Sequence, residues 1–281
     1  MVSDDIACAT TFLFVPGDRP QLVGKALTSD AAFLIVDLED AVDSTRKHHA
    51  REAIAQLSPD PRIGIRINPW GTPDWEKDIA LLQHCSPSFL VPTKCESADE
   101  LHELHGRIGR KMNLLPLIET ARAVDRLTDI GQVEGVVRLC FGSIDMALDL
   151  DCDDDWEPLG WIRSQLVWAS RVSGLAGPVD GVTVELNDDE KLTAAASAAR
   201  RWGFRGKLLI HPRQVSIAAA AFQPSRKELD WARSIVADVS GDGARAIGGQ
   251  MIDRPVIARA RRLLREQERN RVSPSNQAGA P

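Results

Sequence analysis

The chain has 281 residues, 43% of them apolar and 26% charged, with a formal net charge of −6 at pH 7. This is ordinary globular composition at a length that suits one large domain with an appendage, or two domains. The acidic balance argues against a general attraction to nucleic acid or anionic membrane, and no apolar run approaches a membrane span.

The first residues, MVSDDIACATT, lack a basic region followed by an apolar core. The five cysteines (8, 85, 95, 140 and 152) form no C-x-x-C pair, so a disulfide framework or a zinc ribbon is not expected. Reduced thiols and a soluble, cytoplasmic protein are the expectation.

In chain order, short β-rich runs alternate with helical patterns. The runs are TTFLFV (10–15), FLIVDL (33–38), RIGIRI (62–67), FLVPTK (89–94), NLLPLIE (113–119), VVRLCF (136–141), GVTVEL (181–186) and KLLIHP (207–212). Between them, Thr72 and Pro73 suit the cap and first position of one helix. Ser97 with Glu100, and Asn187 with Glu190, make capping boxes for two others, and Gly203 is a stop signal. Near-continuous apolar strands, each followed by a helix, indicate a parallel sheet covered on both faces. Eight such units without a dinucleotide fingerprint predict an α/β fold of the (β/α)8 (TIM) barrel type over residues 1–225.

Beyond it, Ser225 and Glu228 form another capping box, and GDGARAIGG (241–249) suggests a flexible hinge before a last helix. Residues 226–270 are therefore expected to form a helical lid, and 271–281 a disordered tail.

Barrel enzymes carry their chemistry at the C-terminal ends of the strands. Here those ends hold Asp37, Glu39 and Asp40, then Arg66 and Asn68, Lys94, Glu119, Asp145, Glu185 and His211. A structural barrel has no reason to gather such groups on one rim. Glu119 and Asp145, without a nearby His or Cys cluster, suit a hard cation with oxygen ligands. Glu119 is equally placed to pair with Arg122.

Other features read as structural. DCDDDWE (151–157) departs from a calcium loop at Trp156 and Ile162. His102 and His105 fit a solvated helical face, as do the arginines 259, 261, 262, 265 and 269. The seven tryptophans are most simply packing residues.

FLFVPGDRP, FLIVDLEDAV, GIRINPWG, PLIET, CFGSIDMALDL, GFRGKLLIHPRQV, PSRKELDWA and GQMID, in this order over residues 11–258, resemble the HpcH/HpaI aldolase–citrate lyase family. The nearest resemblance is to its citrate lyase β-subunit-like members, which include malyl-CoA, citramalyl-CoA and citryl-thioester lyases. By position, Glu119 and Asp145 resemble the ligands of Mg²⁺, which Mn²⁺ can replace. Arg66 resembles the arginine that contacts thioester and keto-acid oxygens. Asp37, Glu39 and Asp40 match carboxylates around the metal's waters, while Phe14, Arg19, Lys25, Ile144, Ile210 and His211 match the substrate and coenzyme A channel. Asp253 resembles a lid aspartate lent by a neighbouring subunit, which implies a homotrimer or hexamer.

The chemistry so implied is a Mg²⁺-dependent lyase acting on a 3-hydroxy-3-carboxyacyl-CoA, with no nucleic acid or membrane partner. Thioester hydrolysis, a malate synthase-like condensation, and a citrate lyase β subunit inactive without its acyl carrier are the alternatives. The acidic loop at 151–157 and the segment VELND depart from the usual family pattern, at places that bear on substrate choice.

Overall fold

The structure is a computed structural model that describes residues 2–237, 245–247 and 250–272. Two compact units divide it, Met1–Phe222 and Gln223–Pro281. No helix among the described residues is long and apolar enough to cross a membrane.

The first unit is built on parallel strands: β1 (Thr11–Pro16), β2 (Phe33–Asp37), β3 (Ile63–Ile67), β4 (Phe89–Pro92), β5 (Asn113–Leu114), β6 (Leu117–Ile118), β7 (Cys140–Phe141), β8 (Val179–Asp180) and β9 (Gly206–Leu209). Their order in the sheet is β5-β4-β3-β2-β1-β9-β8-β7-β6. The two ends of that order are one strand, interrupted at Leu115–Pro116, because proline has no N–H for the ladder. Its first half pairs with β4, through Asn113 opposite Phe89, and its second half with β7, through Leu117 opposite Cys140. The barrel therefore closes on eight strands, as the sequence pattern predicts.

Strand side chains alternate between two cores. Leu13, Val15, Leu34, Val36, Ile63, Ile65 and Leu90 face the surrounding helices. Phe12, Phe33, Ile35, Phe89, Val91, Leu115, Leu117 and Cys140 fill the barrel interior. Phe33 stacks on Phe12 at 5.7 Å between centroids, and Phe89 meets it edge-on at 5.5 Å. Gly64 makes room for this layer, since a Cβ there would lie 2.3 Å from the Phe89 ring. The N-terminal helix Val2–Cys8, which the strand and helix pattern did not anticipate, adds the fully buried Ile6 to this interior core. Below the layer, the buried Arg138 donates to the carbonyls of Ala9 and Gly177, at 2.5 and 2.8 Å, and burial pushes it down to about 10.

The helix ends largely follow the local signals. Thr72 caps Pro73–Leu82, Ser97 caps Ala98–Ile108, Ser225 bonds Glu228 in a capping box, and Gly203 ends Asp189–Trp202. Asp188, not Asn187, is the cap of Asp189–Trp202, its carboxylate accepting from the Lys191 N–H at 2.8 Å.

Three other expectations are corrected. The seventh strand is Val179–Asp180 rather than 181–186, because Asp180 is anchored in the interior by Lys207 at 2.9 Å and Arg163 at 3.4 Å. The sixth strand shortens to Cys140–Phe141, with one bridge at Val136. Trp161, Trp168, Trp70 and Trp202 are 64%, 57%, 48% and 46% exposed, so only part of the tryptophan set is packing.

The second unit is a helix (Arg226–Ala237), an antiparallel hairpin of Arg245–Ile247 with Gln250–Ile252, and a helix (Arg254–Val272). Ala232, Ile235, Ile252, Ile257, Ala260 and Leu263 form its own core. The hairpin stands where a flexible hinge was expected, although 241–244 and 248–249 lie outside the described residues. The last helix includes 271 and 272; the rest of the expected tail, 273–281, also lies outside them.

Candidate active site

Alternation decides which strand-end groups converge. Asp37 continues the inward row of Phe33 and Ile35, Glu119 continues Leu115 and Leu117, and Arg66 follows the inward Gly64. All three thus rise from the top of the interior core onto the C-terminal rim, where Phe14 of β1 also points inward.

Arg66 is the hub. Its Nε donates to Asp37 Oδ1 at 2.7 Å, its Nη2 to Asp37 Oδ2, and its Nη1 lies 3.0 Å from Glu39 Oε2. The guanidinium sits over the Phe14 ring, 4.6 Å from its centroid. Asp37 also accepts from the Glu39 and Ala41 N–H groups, at 2.8 and 3.1 Å, so its oxygens are fully engaged. Burial works against the charge on Arg66, but Asp37 and Glu39 outweigh it and hold the group above its ordinary range. Asp37 takes two of its five N–H groups and Glu39 is ion-paired with Nη1, so the guanidinium keeps N–H groups for a ligand.

Lys94 links the two sides of the rim. Its ammonium lies 3.0 Å from Glu39 Oε1 and 3.3 Å from Asp145 Oδ1, while its backbone N–H donates to Glu119 Oε1 at 2.7 Å. Its φ of 46° is left-handed, uncommon for a residue with a Cβ. The backbone turns there so that one residue reaches Glu119 with its amide and two other carboxylates with its side chain. Sequence reading placed Lys94 on the rim without a role. Its signal was there, a lone lysine ending an apolar strand among four acids.

Glu119 is buried, and burial followed by the Asp145 charge pushes its carboxyl up to about 8. Gly142 permits this placement, because a Cβ there would lie 2.4 Å from Glu119 Oε2. Arg122 does not pair with Glu119; it lies 3.5 Å from Glu96 instead. Asp145 sits in the first turn of the helix Ser143–Asp149. Burial raises Glu39 as well, against the opposing charge of Arg66.

Four carboxylates (Asp37, Glu39, Glu119 and Asp145) thus face two cations, Arg66 and Lys94, an excess of two negative charges when all are ionised. No group of three or more His, Cys, Asp or Glu forms a ready metal cage among the described residues. A pair of facing carboxylates with spare negative charge suits a divalent cation that keeps waters and takes substrate oxygens. The Glu119–Asp145 pair fits that demand, and the raised Glu119 marks where positive charge is wanted.

The remaining candidates spread outward. Asp40 is exposed, and Asp37 is turned onto Arg66, so Glu39 is the acid of that trio beside both Lys94 and Arg66. Asn68 is buried in a structural network, donating to Asp78 and to the Leu38 carbonyl at 2.7 and 3.0 Å. Glu185 is half-buried and ion-paired with Lys191. Ile144 and Ile210 are exposed at 43% and 38%. The Ile210 and His211 N–H groups both donate to Gln214, and His211 Nδ1 accepts from the Arg213 N–H at 3.2 Å. Lys25 and Arg19 are exposed. Arg19 lines a cleft of about 700 Å³ with Asp18, Gln21, Leu22, Ala41, Asp43 and Arg46. The cleft does not reach Glu119, but Ala41 bonds Asp37 and so joins it to the Arg66 end of the network. In the second unit, Asp253 caps the final helix, with Oδ1 accepting from the Val256 N–H at 3.2 Å.

Fold and site together define a (β/α)8-barrel protein with an acid-rich rim centred on one arginine. The chain belongs to the HpcH/HpaI aldolase/citrate lyase family, whose model matches residues 10–212. It is 32% identical to a citrate lyase subunit beta-like protein of Mycobacterium tuberculosis, covering 92% of this chain and 96% of that one. It is 27% identical to the mitochondrial citramalyl-CoA lyase of Rattus norvegicus, covering 90% and 84%. The crystal structure of the protein CitE from Mycobacterium tuberculosis, in complex with magnesium, acetoacetate and coenzyme A, superposes with a TM-score of 0.86 at 32% identity, covering 93% and 99%.

Proposed function

We propose that this chain is a Mg²⁺-dependent carbon–carbon lyase acting on a 3-hydroxy-3-carboxyacyl-CoA of the malyl-, citramalyl- or citryl-CoA type, in the cytoplasm. The observation that carries the proposal is the convergence of Arg66 with four carboxylates that, when all are ionised, exceed the local cations by two charges. The magnesium, acetoacetate and coenzyme A bound by the Mycobacterium tuberculosis relative, and the activity in the rat relative's name, support the substrate class.

Glu119 and Asp145 would hold Mg²⁺, or Mn²⁺ in its place, and the ion would supply Lewis acidity toward the substrate's hydroxyl and carboxylate oxygens. In the reaction the hydroxyl proton leaves, the bond between C2 and C3 breaks, and its electron pair passes to the thioester as an enolate. The hydroxyl carbon becomes the carbonyl of the 2-keto acid. Arg66 is held rigid by Asp37 and Phe14 and keeps N–H groups that would stabilise the enolate oxygen, which is preorganised electrostatic stabilisation. Lys94 offsets part of the carboxylate charge, which favours entry of an anionic substrate. The cleft beside Arg19 suits the coenzyme A portion. Asp253 of a neighbouring copy is the candidate acid that protonates the enolate carbon, within a trimer or hexamer.

Assaying malyl-, citramalyl- and citryl-CoA side by side with Mg²⁺, and following both acyl-CoA and keto acid, tests the reading. Cleavage of one of them, abolished in Glu119→Ala and Asp145→Ala, is the expected result. Release of free coenzyme A without keto acid would replace it with thioester hydrolysis.

A further inference from the structure

The helix Trp156–Val172 buries Leu159, Ile162, Leu166 and Ala169. Its opposite face carries Glu157, Pro158, Trp161, Ser164, Trp168, Arg171 and Val172, all exposed. Trp161 and Trp168 are 64% and 57% exposed and lie two turns apart, about 10 Å along one side. Val172, 52% exposed, extends the same stripe. Two indoles left in water on one helix face are poor surface choices for a lone copy. None of these side chains belongs to the site on the barrel rim.

The order of residues on this face says what covers it. Between Ser164 and Gln165 lies a point about which the pattern is self-complementary. Trp161 precedes that point by the distance at which Trp168 follows it. Pro158 and Val172 stand in the same relation on one flank, within a residue, and Glu157 and Arg171 on the other. Those two ends carry opposite charges, and neither has an ion-pair partner among the described residues. A two-fold contact brings such a face onto itself, so that the acidic end of each copy meets the basic end of the other.

We propose that this face is a two-fold contact between two copies of the chain, with Trp156–Val172 packed antiparallel against itself. Trp161 of each copy meets the partner's Trp168, and Glu157 meets the partner's Arg171. Ser164 lies beside its own counterpart, where a small side chain lets the helices approach. Its hydroxyl is turned onto its own helix, donating to the Gly160 carbonyl at 3.1 Å. The two indoles expose on the order of 250 Å² per copy. That is the size of a desolvated centre of a standard contact of roughly 800 Å² per partner, with the charged pairs as its rim. The contact uses no residue of the second unit, so it is independent of any lid exchange and of the proposed chemistry.

Sedimentation velocity on the full chain tests it, with melting curves to verify folding. Trp161→Ser combined with Trp168→Ser should halve the particle mass. Glu157→Arg and Arg171→Glu should each weaken assembly at least tenfold. The two reversals together should restore it, because every pair again joins opposite charges. Ser164→Cys should give a bridged dimer on a non-reducing gel that the unsubstituted chain does not give. An unchanged mass in the double tryptophan variant overturns the proposal. So does failure of the double reversal to recover assembly, which would mean that a different partner occupies the face.

Discussion

Lys94 and Glu119 are joined by a hydrogen bond of 2.7 Å from the lysine's backbone N–H, made from a left-handed backbone with φ of 46°. Such a conformation costs roughly 1–2 kcal/mol in a residue with a Cβ, and a functional site is where strain of this kind is retained. The same residue holds Asp145 by its ammonium, 3.3 Å away. That ammonium competes with any other cation for Asp145. Lys94→Gln should therefore bind Mg²⁺ about fivefold more tightly in the absence of substrate, a gain near 1 kcal/mol for a half-buried charge. Turnover should fall, because Glu39 loses one of its two cations. Calorimetric titration with Mg²⁺ decides; equal or weaker affinity rules the competition out.

The Glu119 carboxyl, at about 8 against an ordinary 4.5, makes the metal-free protein pH-sensitive. A group whose pKa rises on folding contributes stability that is whole below its unfolded pKa and is lost as the pH climbs through the folded one. This contribution should therefore fade between about pH 4.5 and 8, the window defined by those two values. Mg²⁺ needs the ionised carboxylate, so its affinity should rise about tenfold per pH unit up to pH 8. In melting experiments with chelator or with Mg²⁺, stabilisation by the ion should be larger at pH 8 than at pH 6. Glu119→Gln should abolish the difference. An equal Mg²⁺ effect at both pH values would remove Glu119 from the metal site.

Arg66→Lys keeps the charge but not the planar fork that holds both Asp37 oxygens. The variant should stay folded, since Asp37 retains two backbone donors, at a cost of about 2 kcal/mol. Turnover should drop by two or more orders of magnitude, as when a preorganised donor to the developing charge is removed. Near-normal kinetics would make Arg66 a structural strand-end residue.

Asp253 has a structural role as a helix cap, so its carboxylate is best removed by Asp253→Asn, which keeps a capping oxygen. If the lid serves a neighbour, Arg66→Ala and Asp253→Asn chains should each be inactive alone. Subunit exchange in equal amounts should recover roughly a quarter of the sites, since random assembly matches an intact barrel with an intact lid that often. A coupled acyl-CoA assay reads the recovery; none after verified mixing would place the lid in cis or discharge Asp253 from catalysis.

Much of this molecule is decided within a few residues of sequence. Runs such as FLIVD bury every side chain, and period-two alternation puts Asp37 on the inward face with Phe33 and Ile35. The same parity brings Glu119 to the rim above Leu117, and local capping chemistry starts the helices at Thr72, Ser97 and Ser225. These signals are local, so the barrel, its rim and most of the rim's charged residues were legible before any coordinates. Pairing was not. Arg66 meets Asp37 across 29 positions and Lys94 meets Glu39 across 55, and only closure of the sheet sets those distances. The short seventh strand followed the long-range anchor of Asp180 by Lys207, against the local β pattern of GVTVEL. Trp161 and Trp168 faced outward for a related reason. Apolar content alone does not say which side of a helix meets the barrel; Leu159, Ile162 and Leu166 took the inner side and left the indoles to the outer one.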